Sequence, residues 1–539
     1  MVIPTKQMPN ISSLVYDYFY CYPKVGKYYN GNFRDLDAFK QQTEKIKSRH
    51  LFREQLAAIL KVQNQDYGCG RKTLGNINKL IQDQTCAVVT GQQVGLFSGP
   101  LYTIYKSLTV IKLSEYLNQN ANGCYVPIFW LASDDHDFAE INHIKLLNRD
   151  NRVEEIRYKS HSSNLKIPAS KILFTSEILN CFQLLKDFTQ DSEFKQEIIF
   201  HLSEAYKPGR SFSEAFAKWM TQLFKPYGLI FIDASHHDLK YLGKRVFFHE
   251  ISEDSPSTRQ AMEASKKLTQ DKYKSQIQLH EGRLNLFFAE KERLTIQFKD
   301  KNYSIKGTQK TYKRAELLAL LEKKPHIFSP NVLLRPIYQD NLLPTVAYVG
   351  GPGEIAYLAQ MKGVYENFGL SMPIIYPRKS ITILEKKIGE VLKNYDLKIQ
   401  DMWQNVERVI TKISKKQIPD SVDRALSTAT SHLEKDLQMI KQEIMAFEPS
   451  LEKSVEVTLG KIKQKYKFLE KKILQASKKR DSIVTKQIHK ATNNLYPNNR
   501  LQERVLNIAP FLIKYSHAFI DKLYKAIDID NHDHQVIKL

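Results

Sequence analysis

The stretch SDDHDFAEINH (residues 133–143) sets Asp134, Asp135, His136 and Asp137 side by side, with His143 six residues after Asp137, at the end of the apolar run YVPIFWLAS. Carboxylates beside a histidine favour its protonated form, so the pKa of His136 is expected to be raised. That makes it a base or hydrogen-bond donor near neutral pH. The plainer reading takes Asp as a helix N-cap and leaves the other residues solvated. Asp and His also ligate metals, but no H-E-x-x-H-like pair on a helix accompanies them, so no metal is expected.

A second candidate is TGQQVGLFSGP (residues 90–100), where Gly91, Gly95 and Gly99 surround Gln92 and Gln93, with Tyr102 just beyond. Glycines permit positive φ and close approach of a ligand to backbone N–H groups, and a helix start adds positive dipole character for an anion. The spacing is not G-x-G-x-x-G, and no G-K-[ST] follows, so neither standard nucleotide fingerprint applies. A tight connector needing glycine for packing is the plainer alternative. FIDASHHDLK (residues 231–240) repeats the first pattern: an apolar run ends at Asp233, followed by His236, His237 and Asp238. Finally, RPIYQDNLLPTVAYVGGPGEIAY (residues 335–357) holds Arg335, Gly351 and Glu354 around another glycine turn. Arg335 suits a carboxylate or phosphate because its guanidinium is planar and bidentate. Glu354 suits either a first-turn capping role or a substrate ammonium.

The elements that must hold these groups follow from apolar patterning. CAVVTG, YVPIFWLAS, YGLIFIDAS, LPTVAYVGG and MPIIYPR are continuous apolar runs, as expected of parallel strands covered on both faces. LYTIYKSLTVIKLSEYL lies between the first two with helical spacing, completing a βαβ unit. The expected architecture is α/β: a Rossmann-like core in three parts (1–150, 218–250, 326–379), interrupted by insertions at 151–217 and 251–325. Ligands of such sheets bind outside the carboxyl ends of the strands, which is where the polar clusters fall. From about Ser380 the pattern becomes helical. Leu384, Ile388, Val391, Tyr395, Ile399 and Met402 mark one stripe, a second helix is expected from Ser421 to Phe447, and a heptad seam runs from Val455 to Ala476. Residues 380–539 are therefore read as a helical coiled-coil domain, and residues 461–490 are its most basic run.

The 539 residues carry 80 Lys+Arg against 58 Asp+Glu, a net charge of +22 that favours anionic partners. The N-terminus has neither the basic segment nor the apolar core of a signal peptide, and no apolar run spans a bilayer. Five widely spaced cysteines with no C-x-x-C pair argue against a disulfide framework, so a cytoplasmic location is expected.

TGQQVGLFSGPLYTIYK, FWLASDDHDFAEINH and PTVAYVGGPGEIAYLAQ, in this order, closely resemble the bacillithiol-synthesis cysteine-adding enzymes, the BshC family, as does NNRLQERVLNIAPFL. The resemblance covers essentially the whole chain. It implies a core related to class I aminoacyl-tRNA synthetases, two connecting-peptide insertions and a dimerising coiled coil. It also implies amide-bond ligation of L-cysteine to glucosaminyl-malate, with ATP or another adenine nucleotide as the activating cofactor. On that basis His136 is expected to be the base, assisted by Asp135 and Asp137. The loop bearing Gly91, Gln92, Gln93, Gly95 and Gly99 would hold the malate or a phosphate, with Tyr102, Asp134, His143, Asp233 and Gly351 lining the cleft. Glu354 would hold the cysteine ammonium and Arg335 a carboxylate; Arg378, Lys379 and Ser380 offer a nucleotide site. The chain departs from the synthetase pattern in lacking H-I-G-H and K-M-S-K-S signatures. The basic hairpin leaves an RNA-binding or nucleotide-binding reading open, but it lacks an aromatic stacking platform, so nucleic acid is not the expected partner.

Overall fold

The computed structural model describes residues 1–49, 51–159, 166–416, 419–480 and 482–539. Part of the first expected insertion (160–165), the two residues before Pro419, and Asp481 of the basic run lie outside the described residues.

Five strands form a parallel sheet: β1 (Thr85–Gln92), β2 (Cys124–Leu131), β3 (Ile230–Asp233), β4 (Thr345–Gly350) and β5 (Ile374–Pro377), in the order β5-β4-β1-β2-β3. Cys86, Ala87, Val88 and Val89 of β1, and Val126, Ile128 and Phe129 of β2, are fully buried. Alternate residues of a strand point to opposite faces, so burial of every position means helices cover both sides. The register sets the level of the site. Gln92 pairs with Leu131, and Leu131 with Asp233, so β1, β2 and β3 end in one row. The strand order reverses between β1 and β4, where the chain leaves on opposite sides and opens a crevice.

Three helices frame that crevice: α1 (Leu101–Asn120), α2 (Arg335–Leu342) and α3 (Pro352–Leu358). Helix α1 follows β1 and is buried along most of its length, including Lys106 at 3% exposure. The apolar stretch after Gly351 folds as two helices, broken between Leu358 and Lys362.

Within the expected second insertion, antiparallel strands Arg283–Phe288, Leu294–Lys299, Asn302–Ile305 and Thr311–Lys313 form a sheet with Phe328–Pro330 along its edge. Arg293 sits in its first hairpin turn. The expected first insertion, 151–217, starts inside the hairpin of His143–Leu147 and Val153–Arg157 and continues in helices.

The chain divides into two compact units, Met1–Ile383 with Gln502–Ile537, and Leu384–Leu501 with Lys538–Leu539. Of the residues expected as the helical domain, 380–539, Gln502–Ile537 packs with the α/β unit. There, for example, Gln535 pairs with Val2 and the Ile383 N–H donates to Gln502 Oε1 at 2.8 Å. In the second unit the stripe from Leu384 to Met402 is not one helix. It breaks into Lys386–Asn394 and a tight 3-10 turn, Ile399–Trp403, with Asp396 between them at φ +51°. Helices α4 (Asp420–Phe447) and α5 (Glu452–Arg480) form the expected hairpin, joined at the turn by Lys441 to Glu456.

Candidate active site

A cavity of about 700 Å³ opens at the carboxyl ends of β1, β2 and β4, all within the α/β unit. Of the residues expected at a site, Gly91, Gln92, Gln93, Tyr102, Asp134 and Asp135 line it, joined by His136, Arg335, Gly351, Glu354 and Arg378. The two motifs following β1 and β2 are thus brought face to face with the glycine turn following β4. This is what the common row of strand ends requires.

The corner after β2 is a network of paired charges. Asp135 accepts from Gln93 Nε2 at 2.6 Å, Arg293 Nη1 at 3.1 Å and the His136 N–H at 2.8 Å. Arg293, almost fully buried, also donates to Ser329 Oγ and to the Pro330 carbonyl, and its guanidinium stacks on Phe287 at 4.3 Å. Asp134 accepts from the buried Lys240 ammonium. The expected rise in the His136 pKa is reversed. Burial and the Arg293 guanidinium 3.4 Å from Nδ1 lower it below 6.5, outweighing Asp135. An isolated His–Asp pair would behave as first argued; an arginine inserted between them does not.

Opposite lies a basic wall. Lys106 reaches up from α1 and forms an ion pair with Glu354 Oε2 at 2.5 Å, also donating to the Gly91 carbonyl at 2.8 Å and Gln92 Oε1 at 3.1 Å. Glu354 accepts from Tyr348 OH at 2.7 Å and the Gly351 N–H at 2.8 Å. Burial works to raise this carboxyl, but Lys106 and the two donors outweigh it and hold it below its ordinary value. Its charge is therefore already neutralised. Arg335 donates to Gln339 Oε1 and Tyr357 OH, each at 3.0 Å, beside the Tyr348 ring. Arg378 forms two hydrogen bonds to Glu503, at 2.7 and 3.0 Å, and faces the Tyr102 ring.

Four further cavity groups were not singled out in the sequence: Lys106, Arg293, Glu140 and Arg504. Arg504 is exposed at the cavity edge. Glu140 lines it with no ion pair to a cation among the described residues, and burial raises its pKa. Glu140 lies in the motif quoted at the outset and was legible as a carboxylate. Lys106 and Arg504 also fall within quoted stretches, with nothing in their spacing to mark them, while Arg293 lies in none.

The remaining expected residues do not line the cavity. In the glycine loop the Gly95 N–H donates to the Gln93 carbonyl and the Gly99 N–H to the Leu96 carbonyl. Asn507 Nδ2 donates to the carbonyls of Phe97 (2.8 Å) and Gly99 (2.6 Å), and the first N–H of α1, on Leu101, donates to the Leu506 carbonyl. The N–H groups of Gly95, Gly99 and Leu101 are thus spent on the chain itself, and of the loop only its first turn, Gly91 to Gln93, lines the cavity. Gly99 is required for its φ of +67°, and Gly91 because a Cβ there would crowd Trp130 at 3.3 Å. Asp137 caps the helix Phe138–Ile141, accepting from the Glu140 N–H. His143 Nδ1 lies 3.1 Å from the Ala139 carbonyl. Asp233 ties strand ends together by accepting from Ser133 Oγ at 2.5 Å and Ser235 Oγ at 2.7 Å. Lys379 donates to the carbonyls of Ile529 (2.7 Å) and Asn531 (2.6 Å), and burial lowers its pKa to about 7. Ser380 Oγ donates to Glu503 Oε1 at 3.1 Å.

The fold and site together define a Rossmann-like α/β protein with a charged cleft at the switch point of its sheet and a separate helical hairpin unit. Residues 1–379 match the family model described as "Bacillithiol biosynthesis BshC, N-terminal Rossmann-like domain", and residues 381–539 its "C-terminal coiled-coil domain". The chain belongs to the BshC family. It is similar to "Putative cysteine ligase BshC" of Salinibacter ruber, 35% identical over 99% of this chain and 97% of that protein. Proteins of the same name from Chloroherpeton thalassium and Koribacter versatilis are 34% and 30% identical, covering 93% and 100% of this chain and 91% and 99% of theirs.

Proposed function

We propose that the chain is a carbon–nitrogen ligase of bacillithiol biosynthesis, joining the carboxylate of L-cysteine to the 2-amino group of glucosaminyl-malate in the cavity described. Family membership supports the pathway, and the printed name of its relatives supports cysteine as the substrate. The observation that carries the reading is that a histidine with a lowered pKa and a set of arginines face one cavity.

A carboxylate does not react with an amine until it is activated; ATP, as co-substrate, would supply that by converting it to an acyl adenylate with release of pyrophosphate. The residues present fit anionic groups on one side. Arg335 and Arg504 face the cavity, whereas Arg378 is neutralised by Glu503, and Lys379 and Ser380 are engaged elsewhere. Phosphate or malate oxygens are therefore assigned to Arg335 and Arg504, bidentate binding being the strength of arginine. With Glu354 neutralised by Lys106, the cysteine ammonium is assigned to Glu140. His136, with its pKa lowered below 6.5, is assigned to take the proton lost by the attacking amine.

The assay combines purified protein, cysteine, glucosaminyl-malate and ATP, and follows the amide product and pyrophosphate. Product without any nucleotide would sink the adenylation step, and no product with all three would sink the assignment. His136→Gln is expected to lower kcat by roughly 100-fold or more, the usual scale of general-base loss.

In the helical unit, Ile462, Phe468 and Leu469 of α5 are 38, 57 and 48% exposed, part of an apolar stripe the α4–α5 hairpin leaves uncovered. A second copy pairing through this hairpin, in the cytoplasm where thiols stay reduced, completes the reading. Sedimentation of the chain lacking residues 400–490 should then show a monomer; a persistent dimer would refute the pairing.

A further inference from the structure

Away from the cavity, the helix Lys195–Ala205 carries Glu197 and His201 four residues apart, and therefore on one face. His517 approaches that face from the C-terminal segment, immediately before the helix Ala518–Ala526. The residue that aims it, Ser516, has φ +62° and ψ −174°, a conformation seldom adopted by a residue with a side chain. His201 Nδ1 and His517 Nε2 lie 3.2 Å apart, and with a Glu197 oxygen they form a set whose ligand atoms all fall within 4.8 Å of one another. Two imidazole nitrogens at Zn–N bonds of 2.0–2.1 Å and tetrahedral angles sit roughly 3.3–3.4 Å apart, close to the spacing seen. A single N–H···N bond between two neutral imidazoles would give a similar distance but does not account for the carboxylate beside them. The fully buried indole of Trp219 backs His517, while Glu197 is exposed, so the third ligand can swing inward and a fourth position faces water.

We propose that Glu197, His201 and His517 bind a divalent cation of the zinc class, with water as the fourth ligand. The ligands come from segments 316 residues apart and meet only in the folded chain. Bound metal therefore pins Gln502–Ile537, the segment that also supplies Glu503, Arg504 and Asn507, to the helix Lys195–Ala205.

The test uses the full chain stripped of metal and titrated with Zn2+ and with Co2+. Saturable binding, tetrahedral Co2+ absorption and a Zn2+-dependent rise in Tm are expected. Glu197→Gln, an exposed and structurally mild change, and His517→Gln should each weaken binding at least as much as the roughly 10–100-fold that loss of a second-shell partner costs. The rise in Tm should vanish with them. No saturable binding, or binding unchanged in both variants and hence located elsewhere among the 15 histidines and five cysteines, would overturn the proposal and leave the two imidazoles bonded only to each other.

Discussion

The Arg378 guanidinium and the Glu503 carboxylate form two parallel hydrogen bonds, at 2.7 and 3.0 Å, with both side chains at most 4% exposed. Glu503 also accepts from the Ile381 N–H at 2.9 Å and from Ser380 Oγ. The last strand of the sheet is thereby locked to the segment that returns from the helical unit. That lock also sets Arg504, the next residue, at the cavity edge.

Removing one partner leaves the other charge buried and alone. Glu503→Gln is expected to cost about 3–5 kcal/mol of stability, read from denaturant midpoints. Burial works to raise the Glu503 carboxyl, and Arg378 more than reverses it, so its folded pKa is depressed. The stabilisation it brings is then complete above the ordinary glutamate value of about 4.3 and lost as pH falls through the lower folded value. The wild-type chain should lose more stability across that acid range than the variant does.

Lys106 and Glu354 should behave as a unit. Lys106→Met and Glu354→Gln are each expected to destabilise the chain, while the double variant loses less than the sum, with a coupling of about 0.5–3 kcal/mol. Simple additivity in a double-mutant cycle would show that the pair does not support the cavity wall.

The acid limb of kcat/KM should reflect His136. Because burial and Arg293 lower its pKa, activity should rise with pH around a midpoint below 6.5 and be flat near pH 7. Arg293→Met removes one of the lowering influences, so the midpoint should move upward. A midpoint unchanged in that variant would exclude His136 as the titrating group.

Asn507→Ala leaves the carbonyls of Phe97 and Gly99 without their buried donor, a loss of about 1–3 kcal/mol. If the loop only needs to be held, activity should fall chiefly through KM; an unchanged KM and stability would show that the loop supports itself.

Glu140→Gln removes a cavity carboxylate without an ion-paired cation among the described residues and is expected to raise the KM for cysteine roughly tenfold, about 1.4 kcal/mol, with little effect on stability. An effect confined to glucosaminyl-malate would reassign Glu140 to the acceptor.

By itself the sequence determined the parallel sheet, the level at which its motifs emerge, and the family. Continuous apolar runs mark strands buried on both faces, and the polar clusters at their ends fall at the level of the crevice, although Asp137, His143 and Asp233 turn away from it. Asp134, Asp135, His136 and Glu354 were legible for that reason. What each group does there was decided by tertiary structure, because charge is set by partners distant along the chain. Burial together with Arg293, 158 residues from Asp135, lowers the pKa of His136; Lys106 neutralises Glu354; Glu503, 125 residues on, occupies Arg378. The glycine loop shows the same division. Its glycines predict a tight turn with free N–H donors, and the turn is there, but the fold spends the donors of Gly95 and Gly99 on its own carbonyls and brings in Asn507 to hold it. Local pattern specifies backbone shape through sterics that act within a few residues. Electrostatic role depends on what burial brings within a few ångströms, and only the folded chain settles that.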